Sequence, residues 1–407
     1  MKLLAPNGPL IGEVELPISK SIANRYQIIS ALTKHSLSLS NSLPEDVKVL
    51  RDALNSNQSE INIGMAGTAM RFLAAYYSVQ EGKEVLLAGD DRMKQRPIAE
   101  LVDGLKKLGA EIEYAEQQGY PPLRIIGKKL QGGEIEISAS VSSQFISALM
   151  MIGPKMQNGL TLKLNGKVLS KPYIQLTADC MASCGAQLKM ADDSIQISRG
   201  NYSVPELNIE ADWSAASYFY ALVAAKPNSK MLLKGLKLNS SQGDSVLAKW
   251  FSEMGVLSVP KENGVEISSS EELNFPIELD FTANPDLAQT FAFLAATLGK
   301  TLNLTGLDNL RLKETDRVSA LQTELKKLGV TVIVEGNSMT VSDSISVKSA
   351  AIKTYNDHRM AMSAAVGAYG NTPNNTPTIE IENPQVVEKS FPGFWRELIQ
   401  FGVVASS

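Results

Sequence analysis

Basic residues recur where this chain is predicted to begin helices, and side chains of this kind can bind anions. The set is Lys20, Arg25, Arg92, Lys94, Lys171, Lys313 and Arg317. Because the first turn of a helix carries partial positive charge, a Lys or Arg there is disfavoured by a few tenths to about 1 kcal/mol. Repetition at equivalent points favours a negatively charged ligand opposite these helix ends. Position alone leaves a second interpretation equally open, in which the side chains lie on solvated loops at little cost.

Small and hydroxyl-bearing residues stand close to several of these positions. Ser19 and Ser21 flank Lys20, so two hydroxyls and one ammonium lie next to each other in the sequence. Residues 64–71, GMAGTAMR, form a small-residue loop leading into a helix, where backbone N–H groups can approach a charged ligand closely. Residues 142–144, SSQ, offer three adjacent polar side chains before an apolar run. Each segment alone is weak evidence, and the last is more typical of an ordinary helix N-cap.

The overall charge argues against a general affinity for nucleic acid or for an anionic membrane. The 407 residues include 39 Lys plus Arg against 43 Asp plus Glu, a net charge of −4. Anion binding would therefore depend on local clusters of basic residues. The longest apolar run, 215–225, is too short to cross a bilayer, and the first ten residues lack the apolar segment of a signal peptide. We expect a cytoplasmic protein with no nucleic-acid and no membrane partner.

The two cysteines, Cys180 and Cys184, are four positions apart and share one face of a predicted helix. A metal site would need further ligands, and the histidines number only two, His35 and His358. Two buried small hydrophobic residues are the favoured interpretation. We therefore expect no metal and no cofactor.

A repeated unit organises the chain. It consists of a strand, a Gly, a polar loop with basic residues, an amphipathic helix, a second Gly and an alternating strand. Copies lie at 89–114, 166–190, 235–259 and 306–334. They start about 70 residues apart, so six would fill the chain, and helices near Ser21–Leu32 and Thr68–Tyr76 fit the remaining positions. The length exceeds what one core normally supports, which predicts an α/β protein of about two domains.

The first copy shows why this unit is expected to fold as described. Its apolar residues follow the helical period: Ile98, Leu101, Val102, Leu105 and Leu108. The glycine after each helix occupies the position where a left-handed backbone usually ends a helix. These glycines are Gly109, Gly185, Gly255 and Gly329.

Taken together, the motifs resemble those of the EPSP (5-enolpyruvylshikimate-3-phosphate) synthase family, in the family's order. They are LPISKSIANR (16–25), GMAGTAMR (64–71), RMKQRP (92–97), SSQF (142–145), SKPY (170–173), NPD (284–286), RLKETDR (311–317), YNDHRMAM (355–362) and KSFPGFW (389–395). The resemblance runs over essentially the whole chain. It implies a two-domain enolpyruvyl transferase fold of the α/β (α+β) class, with three βαβαββ-like repeats in each domain and a ligand cleft between them. The implied domains are 19–210 and 1–18 plus 211–407.

The resemblance also implies a reaction. The family transfers the enolpyruvyl group of phosphoenolpyruvate to the 5-hydroxyl of shikimate 3-phosphate, by addition and then loss of phosphate, in chorismate and aromatic amino acid biosynthesis. Such chemistry needs an acid, a base and cations for two phosphates and a carboxylate. The implied catalytic residues are Lys20, Asp286 and Glu314, with the division of proton transfers among them left open. Without the resemblance, an N-cap after Asn284 and Pro285 is the favoured role for Asp286.

The same resemblance assigns the two substrate sites. Shikimate 3-phosphate is expected at Lys20, Ser21, Arg25, Ser142, Ser143, Gln144, Ser170, Tyr173, Asp286, Asn309 and Lys313. Phosphoenolpyruvate is expected at Lys20, Gly67, Arg92, Gln144, Arg317, Arg359 and Lys389. Whether His358 contacts substrate is left open, because a lone His is more often structural. We expect a monomer whose domains close on its small-molecule substrates.

Two residues depart from the family pattern: Met65 stands where Asn is usual, and Phe72 where Pro is frequent. Both can reshape the phosphoenolpyruvate end of the site. Gly67 is retained, and since a methyl there is one family route to glyphosate tolerance, the sequence favours a glyphosate-sensitive protein.

Two other functions compete with this interpretation. The related transferase that acts on UDP-N-acetylglucosamine typically has a reactive Cys in a mobile loop, but residues 90–97 contain none. An inactive binding module would be expected to lose its charged residues first. Those residues are all present: Lys20, Asp286, Glu314, Arg317 and Arg359. No P-loop motif supports a nucleotide-binding enzyme.

Overall fold

The computed structural model describes residues 1–6, 8–35, 37–39, 43–138, 142–166, 168–370 and 377–406. Short strands and helices alternate along most of this chain. The strands are β1 (Lys2–Leu4), β2 (Ile11–Glu15), β3 (Glu60–Asn62), β4 (Glu84–Ala88), β5 (Glu111–Tyr114), β6 (Leu123–Ile126), β7 (Gly133–Ser138), β8 (Leu160–Asn165), β9 (Leu188–Met190), β10 (Ser194–Ile197), β11 (Lys230–Lys234), β12 (Val256–Lys261), β13 (Gly264–Ser269), β14 (Glu278–Asp280), β15 (Leu302–Thr305), β16 (Thr331–Glu335), β17 (Ser338–Ser342), β18 (Ser349–Ile352), β19 (Thr378–Ile381) and β20 (Val404–Ser406). The helices are α1 (Lys20–Leu32), α2 (Glu45–Asn55), α3 (Gly67–Ser78), α4 (Ala99–Lys107), α5 (Ser143–Ile152), α6 (Lys171–Ser183), α7 (Trp213–Ala225), α8 (Leu247–Met254), α9 (Ala288–Leu298), α10 (Arg317–Lys327), α11 (His358–Gly367) and α12 (Phe394–Ile399).

Backbone contacts divide the chain into two compact units. The central unit is Lys20–Ile209, and the terminal unit joins Met1–Ser19 to Glu210–Ser407. The expected domain boundaries, 19–210 and 1–18 plus 211–407, differ from these by one residue at each junction. Each unit has a hydrophobic core of its own.

One topology recurs in the four-stranded sheets. Its first two strands are parallel, and each later pair is antiparallel, as in β3-β4-β6-β5 and β7-β8-β10-β9 of the central unit. Since a parallel pair needs a crossover, a helix follows the first strand, which gives the order βαβαββ. The terminal unit contains β2-β11-β13-β12, β14-β15-β17-β16 and β18-β19-β1-β20, which follow the same pattern. The predicted α/β fold of βαβαββ repeats is confirmed for these sheets.

Both ends of the chain complete sheets in the terminal unit. Strand β2 pairs in parallel with β11, and β1 lies antiparallel between β19 and β20. The sequence predicts six repeats, whereas the described residues form five such sheets. Helices α1 and α2 belong to the remaining part of the central unit, for which the described chain contains no further sheet.

The helix pattern of the first copy is confirmed. All five apolar residues of its predicted stripe, from Ile98 to Leu108, are at most 1% exposed. The four glycines after the helices have positive φ, at 101°, 83°, 102° and 78° in chain order. Among the described residues, no helix combines the length and apolar character needed to span a membrane.

Candidate active site

Helices α1, α3, α5 and α6 of the central unit pack against one another, and polar groups link their first turns. Gln144 Nε2 in α5 donates to Thr68 Oγ1 in α3 at 3.2 Å. Arg25 in α1 donates to the Ser21 carbonyl at 2.7 Å and to the Tyr173 carbonyl of α6 at 3.0 Å. Residues that are distant in sequence but were assigned to one substrate are therefore close together within this unit.

Arg25 is a buried cation whose hydrogen-bond partners, in the part of the chain that the structure describes, are all neutral. Its Nε donates to Thr177 Oγ1 at 2.7 Å, and Nη2 donates to Ser147 Oγ at 3.2 Å. In the described chain no carboxylate forms an ion pair with it. Burial lowers the pKa of Arg25 to about 10. A positive charge held in this way is stabilised by an anionic ligand.

Phe72, one of the two departures from the family pattern, packs against that cation. The guanidinium of Arg25 lies 5.6 Å from the centre of the Phe72 ring, and the ring is 1% exposed. Phe72 was expected to reshape the phosphoenolpyruvate end of the site. This contact does not support that expectation, because Arg25 was assigned to shikimate 3-phosphate. The aromatic face instead supports the guanidinium electrostatically.

Lys20 is the first residue of α1, as the sequence predicts for an anion-binding helix start. Its Nζ lies 2.9 Å from Oδ2 of Asp46 in α2, and the two side chains are 16% and 8% exposed. This pair holds the ammonium in a defined position.

The polar segment 142–144 does form the N-terminus of α5. Ser142 is the N-cap and accepts a hydrogen bond from the Gln144 backbone N–H at 3.3 Å, while Ser143 begins the helix. The ordinary N-cap interpretation is therefore satisfied for Ser142. The side chain of Gln144 is used differently, since it reaches the first turn of α3, where Gly67 is the first residue.

Ser170 precedes α6 in a left-handed conformation, with φ 55° and ψ 41°, and its side chain caps nothing in the helix. The residue is 6% exposed. A left-handed Ser is strained by about 1–2 kcal/mol, and such strain concentrates at functional positions. Tyr173 follows in the first turn, with its carbonyl bound to Arg25.

Arg92 and Lys94 do not lie in the first turn of a helix, contrary to the sequence prediction. Lys94 is inside the short 3-10 turn Met93–Gln95 and Arg92 immediately before it, whereas α4 begins only at Ala99. Arg92 Nη1 donates to Gln95 Oε1 at 3.2 Å, and Lys94 forms an ion pair with Glu116. The turn ends at Gln95 because Arg96 has an extended backbone, with φ −95° and ψ 116°, as a residue before proline usually does.

Asp286 is the centre of a charge cluster in the terminal unit. Its Oδ1 accepts from Arg317 Nη1 at 2.9 Å, its Oδ2 accepts from Arg359 Nη2 at 2.9 Å, and Lys313 Nζ lies at 3.8 Å. Burial raises the pKa of this carboxyl, but the charges of Arg359, Lys313 and Arg317 outweigh burial and hold the pKa well below 3.8. The carboxylate oxygens of Asp286 thus bind basic side chains. The alternative role of Asp286 as a helix N-cap does not account for these contacts, since the N-cap position is Asn284.

Arg317, the first residue of α10, forms ion pairs with three acidic residues. Besides Asp286, it contacts Asp357 at 2.7 Å from Nε and Glu314 at 3.0 Å from Nη2. Burial lowers the pKa of Arg317, but these three carboxylates outweigh burial and raise it. Glu314 also lies 3.4 Å from Lys389 Nζ. The predicted charged residues of the terminal unit therefore form one continuous ionic network.

Asp244 lies beside this network and was not predicted. Its carboxylate accepts hydrogen bonds from Ser214 and, at 3.0 Å, from Asn284 Nδ2. Burial, followed by the nearby charge of Asp286, raises the pKa of Asp244 to about 6. Two neighbouring carboxyl groups therefore have pKa values shifted in opposite directions: the pKa of Asp244 is raised and that of Asp286 is lowered.

The remaining predicted positions are less directly connected. Asn309 precedes the turn Leu310–Leu312 and is half-buried. His358 begins α11 and is 1% exposed, with Nδ1 3.8 Å from Asp357 Oδ1. Both cysteines are buried and unpaired, as expected.

Sequence reasoning missed several partners of the predicted residues. Asp357 stands inside the YNDHRMAM motif beside Arg359, so the motif itself was a signal for it. Asp46 lies 26 positions after Lys20 on another helix, and no local pattern connects the two. Arg96 stands inside RMKQRP but was not assigned a role.

The chain is similar to known proteins of one family. The family model described as EPSP synthase (3-phosphoshikimate 1-carboxyvinyltransferase) matches residues 45–398. A 3-phosphoshikimate 1-carboxyvinyltransferase of Bacteroides fragilis (strain YCH46) is 44% identical over 405 residues, covering 98% of this chain and 97% of the relative. One from Vibrio cholerae serotype O1 is 36% identical over 427 residues, covering 98% of each.

A solved structure shows the same fold. The EPSP synthase from Acinetobacter baumannii superposes with a TM-score of 0.78 at 19% identity, covering 100% of this chain and 99% of that one. The resemblance drawn from the ordered motifs is confirmed by the family model and by the relatives. This chain belongs to the EPSP synthase family.

Proposed function

We propose that this chain transfers the enolpyruvyl group of phosphoenolpyruvate to the 5-hydroxyl of shikimate 3-phosphate, releasing phosphate. Its relatives carry the name of this activity. The observation that carries the proposal for this chain is the cluster around Asp286, where one carboxylate lies among Arg317, Arg359 and Lys313. Such a cluster offers both proton transfer and cations for phosphate and carboxylate.

The central unit supplies groups suited to shikimate 3-phosphate. Arg25 is a buried cation whose partners among the described residues are neutral, and Lys20 stands at the start of α1. Hydroxyls and amides at helix starts, from Ser142 to Gln144 and at Ser170, can donate to phosphate or ring oxygens. These side chains bind and orient the acceptor, and Tyr173 packs against its ring.

Arginine forks and lysines suit phosphoenolpyruvate, whose phosphate and carboxylate each accept two parallel hydrogen bonds. In the terminal unit these are Arg317, Arg359 and Lys389. In the central unit, Arg92 and the first turn of α3 at Gly67 serve the same substrate.

Substrate charge would also change the proton affinity of Asp286. With its pKa held well below 3.8, Asp286 is a poor proton acceptor in this state. Anions that bind Arg317 and Arg359 compensate the charges that depress this pKa, so the pKa of Asp286 rises when the site fills. Asp286 is then the candidate base for the 5-hydroxyl, and Glu314 and Lys20 are the candidates for the proton transfers at the methylene carbon and the departing phosphate.

The test is phosphate release on mixing the protein with both substrates. Release that requires both, and that collapses in Lys20→Met, supports the proposal. A matched control is Lys163→Met, which removes an exposed ammonium that is also paired with a carboxylate, at 2.7 Å from Glu134. Absence of release from folded wild-type protein would sink the proposal, and release with UDP-N-acetylglucosamine as the acceptor would favour the related transferase. We expect the active protein to be a cytoplasmic monomer with domains 19–210 and 1–18 plus 211–407.

A further inference from the structure

Glu324 is a buried carboxylate of α10 to which the proposed reaction assigns no role. Its side chain is 0% exposed. Leu321, one turn earlier, and Leu325, the next residue, are 0% exposed as well, so Glu324 lies on the buried face of the helix. A carboxylate at such a position is unfavourable unless hydrogen-bond donors compensate it, whereas another leucine would carry no such cost. The contacts of Glu324 must therefore account for its charge.

Three donors meet this carboxylate. The Tyr355 hydroxyl donates to Oε1 at 2.6 Å, and the Lys353 backbone N–H donates to Oε2 at 3.1 Å. Lys327 Nζ lies 2.7 Å from Oε2, but the lysine side chain is 42% exposed, so solvent weakens this ion pair. The other two bonds both hold one short segment, residues 353–355, which lies between β18 and α11.

The segment that Glu324 holds continues into an unfavourable backbone. Tyr355 and the following Asn356 both have φ 55°. The left-handed region is uncommon for residues other than glycine, and a bulky residue such as tyrosine is a clear outlier there. Strain of this kind persists only where surrounding contacts fix the backbone. For Tyr355, the hydrogen bond from its hydroxyl to Glu324 is such a contact.

The left-handed turn precedes two charged residues of the candidate site. Asp357 caps α11 by accepting from the Arg359 backbone N–H at 2.9 Å, and its carboxylate lies 2.7 Å from Arg317 Nε. Arg359 in turn contacts Asp286 at 2.9 Å. Because Arg317 and Glu324 are seven positions apart on α10, they lie on one face of that helix. Helix α10 thus fixes residues 353–357 at two points.

We propose that Glu324 is a positioning residue for phosphoenolpyruvate binding, which holds the turn at Tyr355 and thereby sets Asp357 and Arg359 in place. The inference rests on the function proposed above, in which Arg359 binds that substrate. Glu324 acts through the turn and not by contact with the substrate. A role in stability alone is the alternative that the experiment must separate.

The test compares Tyr355→Phe, Glu324→Met and Glu324→Gln with the control Tyr220→Phe, which removes a hydroxyl of the same unit that shares a hydrogen bond with Ser258 Oγ at 2.8 Å. Tyr355→Phe should raise the KM for phosphoenolpyruvate by about 3- to 10-fold, the worth of one hydrogen bond, and change kcat less. Glu324→Met should raise this KM at least as much. Glu324→Gln keeps one acceptor and should recover part of the loss.

The control separates positioning from stability. Tyr355→Phe and Tyr220→Phe each lose one hydroxyl hydrogen bond, so both should lower the urea midpoint of unfolding by similar amounts. Only Tyr355→Phe should raise the KM for phosphoenolpyruvate, and calorimetric binding of shikimate 3-phosphate should stay at the wild-type value in both. If Glu324→Met does not fold, Tyr355→Phe decides alone, because it removes a single oxygen.

An unchanged KM for phosphoenolpyruvate in Tyr355→Phe would overturn the inference, as would an equal rise in Tyr220→Phe. Failure of the proposed function is separable, since it appears as no turnover in the wild type. In that case titration with phosphoenolpyruvate alone decides. Weaker binding to Tyr355→Phe than to wild type supports the positioning role, whereas equal binding, or none to either protein, contradicts it.

A double-mutant cycle tests whether Glu324 acts through the Tyr355 hydroxyl. If it does, Tyr355→Phe raises the KM for phosphoenolpyruvate in the wild-type background and has little further effect in the Glu324→Met background. Independent, multiplying effects of the two substitutions would contradict the proposed route.

Discussion

Arg317 donates from Nη1 to Oδ1 of Asp286 across 2.9 Å, although the arginine side chain is only 1% exposed. A buried pair of this kind is stable only when the remaining donors and acceptors are also satisfied. Here Asp357 and Glu314 take the other donors of Arg317, and Arg359 donates to the second oxygen of Asp286. The arrangement keeps Asp286 ionised and places it among cations that suit anionic substrates.

Replacing Asp286 by Asn should lower kcat by about 10²- to 10⁴-fold, the usual contribution of a positioned acid or base. Because the pKa of Asp286 lies well below 3.8 in the free protein, its ionisation should produce no fall in kcat/KM between pH 9 and pH 5. Steady-state rates across this range check both statements. An acidic limb near pH 5 to 6 that disappears in Asp286→Asn would contradict the assigned pKa.

Two substitutions of Ser170 distinguish the backbone strain at this residue from its contribution to shikimate 3-phosphate binding. Ser170→Gly and Ser170→Ala both remove the hydroxyl, so both should weaken shikimate 3-phosphate binding about 2- to 10-fold. Only Gly relieves the left-handed backbone at φ 55°, so this variant should be about 1 kcal/mol more stable than Ser170→Ala. Calorimetric titration and urea unfolding measure the two effects. Unchanged binding in both variants would remove Ser170 from the site.

The carboxyl of Asp244 should make the protein less stable as the pH rises. Its pKa is about 6 in the folded protein against 3.8 ordinarily, so the folded state binds a proton more tightly than the unfolded state. Stability relative to Asp244→Asn should therefore fall between about pH 4 and pH 6 and stay low above that, by about 3 kcal/mol in total. Urea unfolding of both proteins at pH 4, 5 and 7.5 tests the difference. A constant difference would mean that Asp244 does not titrate in this range.

Both thiols should be unreactive in the folded protein. Burial raises the pKa of Cys180 to about 12 and also raises the pKa of Cys184, so little thiolate forms at pH 8. A disulfide reagent at pH 8 should label neither thiol until urea is added, when both react. Labelling of the native protein that also stops phosphate release would revive the UDP-N-acetylglucosamine alternative, whose family members carry a reactive Cys.

Features that depend on neighbours in sequence were predictable. The apolar stripe of α4 and the glycine that ends it follow from helical periodicity and from the left-handed backbone that glycine tolerates, and both are present. Helix starts at Lys20, Lys171 and Arg317 were also predicted. The prediction is wrong for the other four. Arg25 lies in the second turn of α1, and Lys313 lies four positions before α10. Arg92 and Lys94 lie before and inside a short turn, because the proline at position 97 delays the helix.

What the sequence by itself determined is therefore the repeat, the class of fold, the family and the residues that carry charge. Only the tertiary structure decided which charges meet. Asp46 reaches Lys20 from another helix, Asp357 reaches Arg317 across 40 positions, and the Arg96 guanidinium lies over Gly67. The physical reason is that periodicity reports how one element faces its core, whereas ion pairs and pKa shifts depend on distances between elements that packing alone fixes.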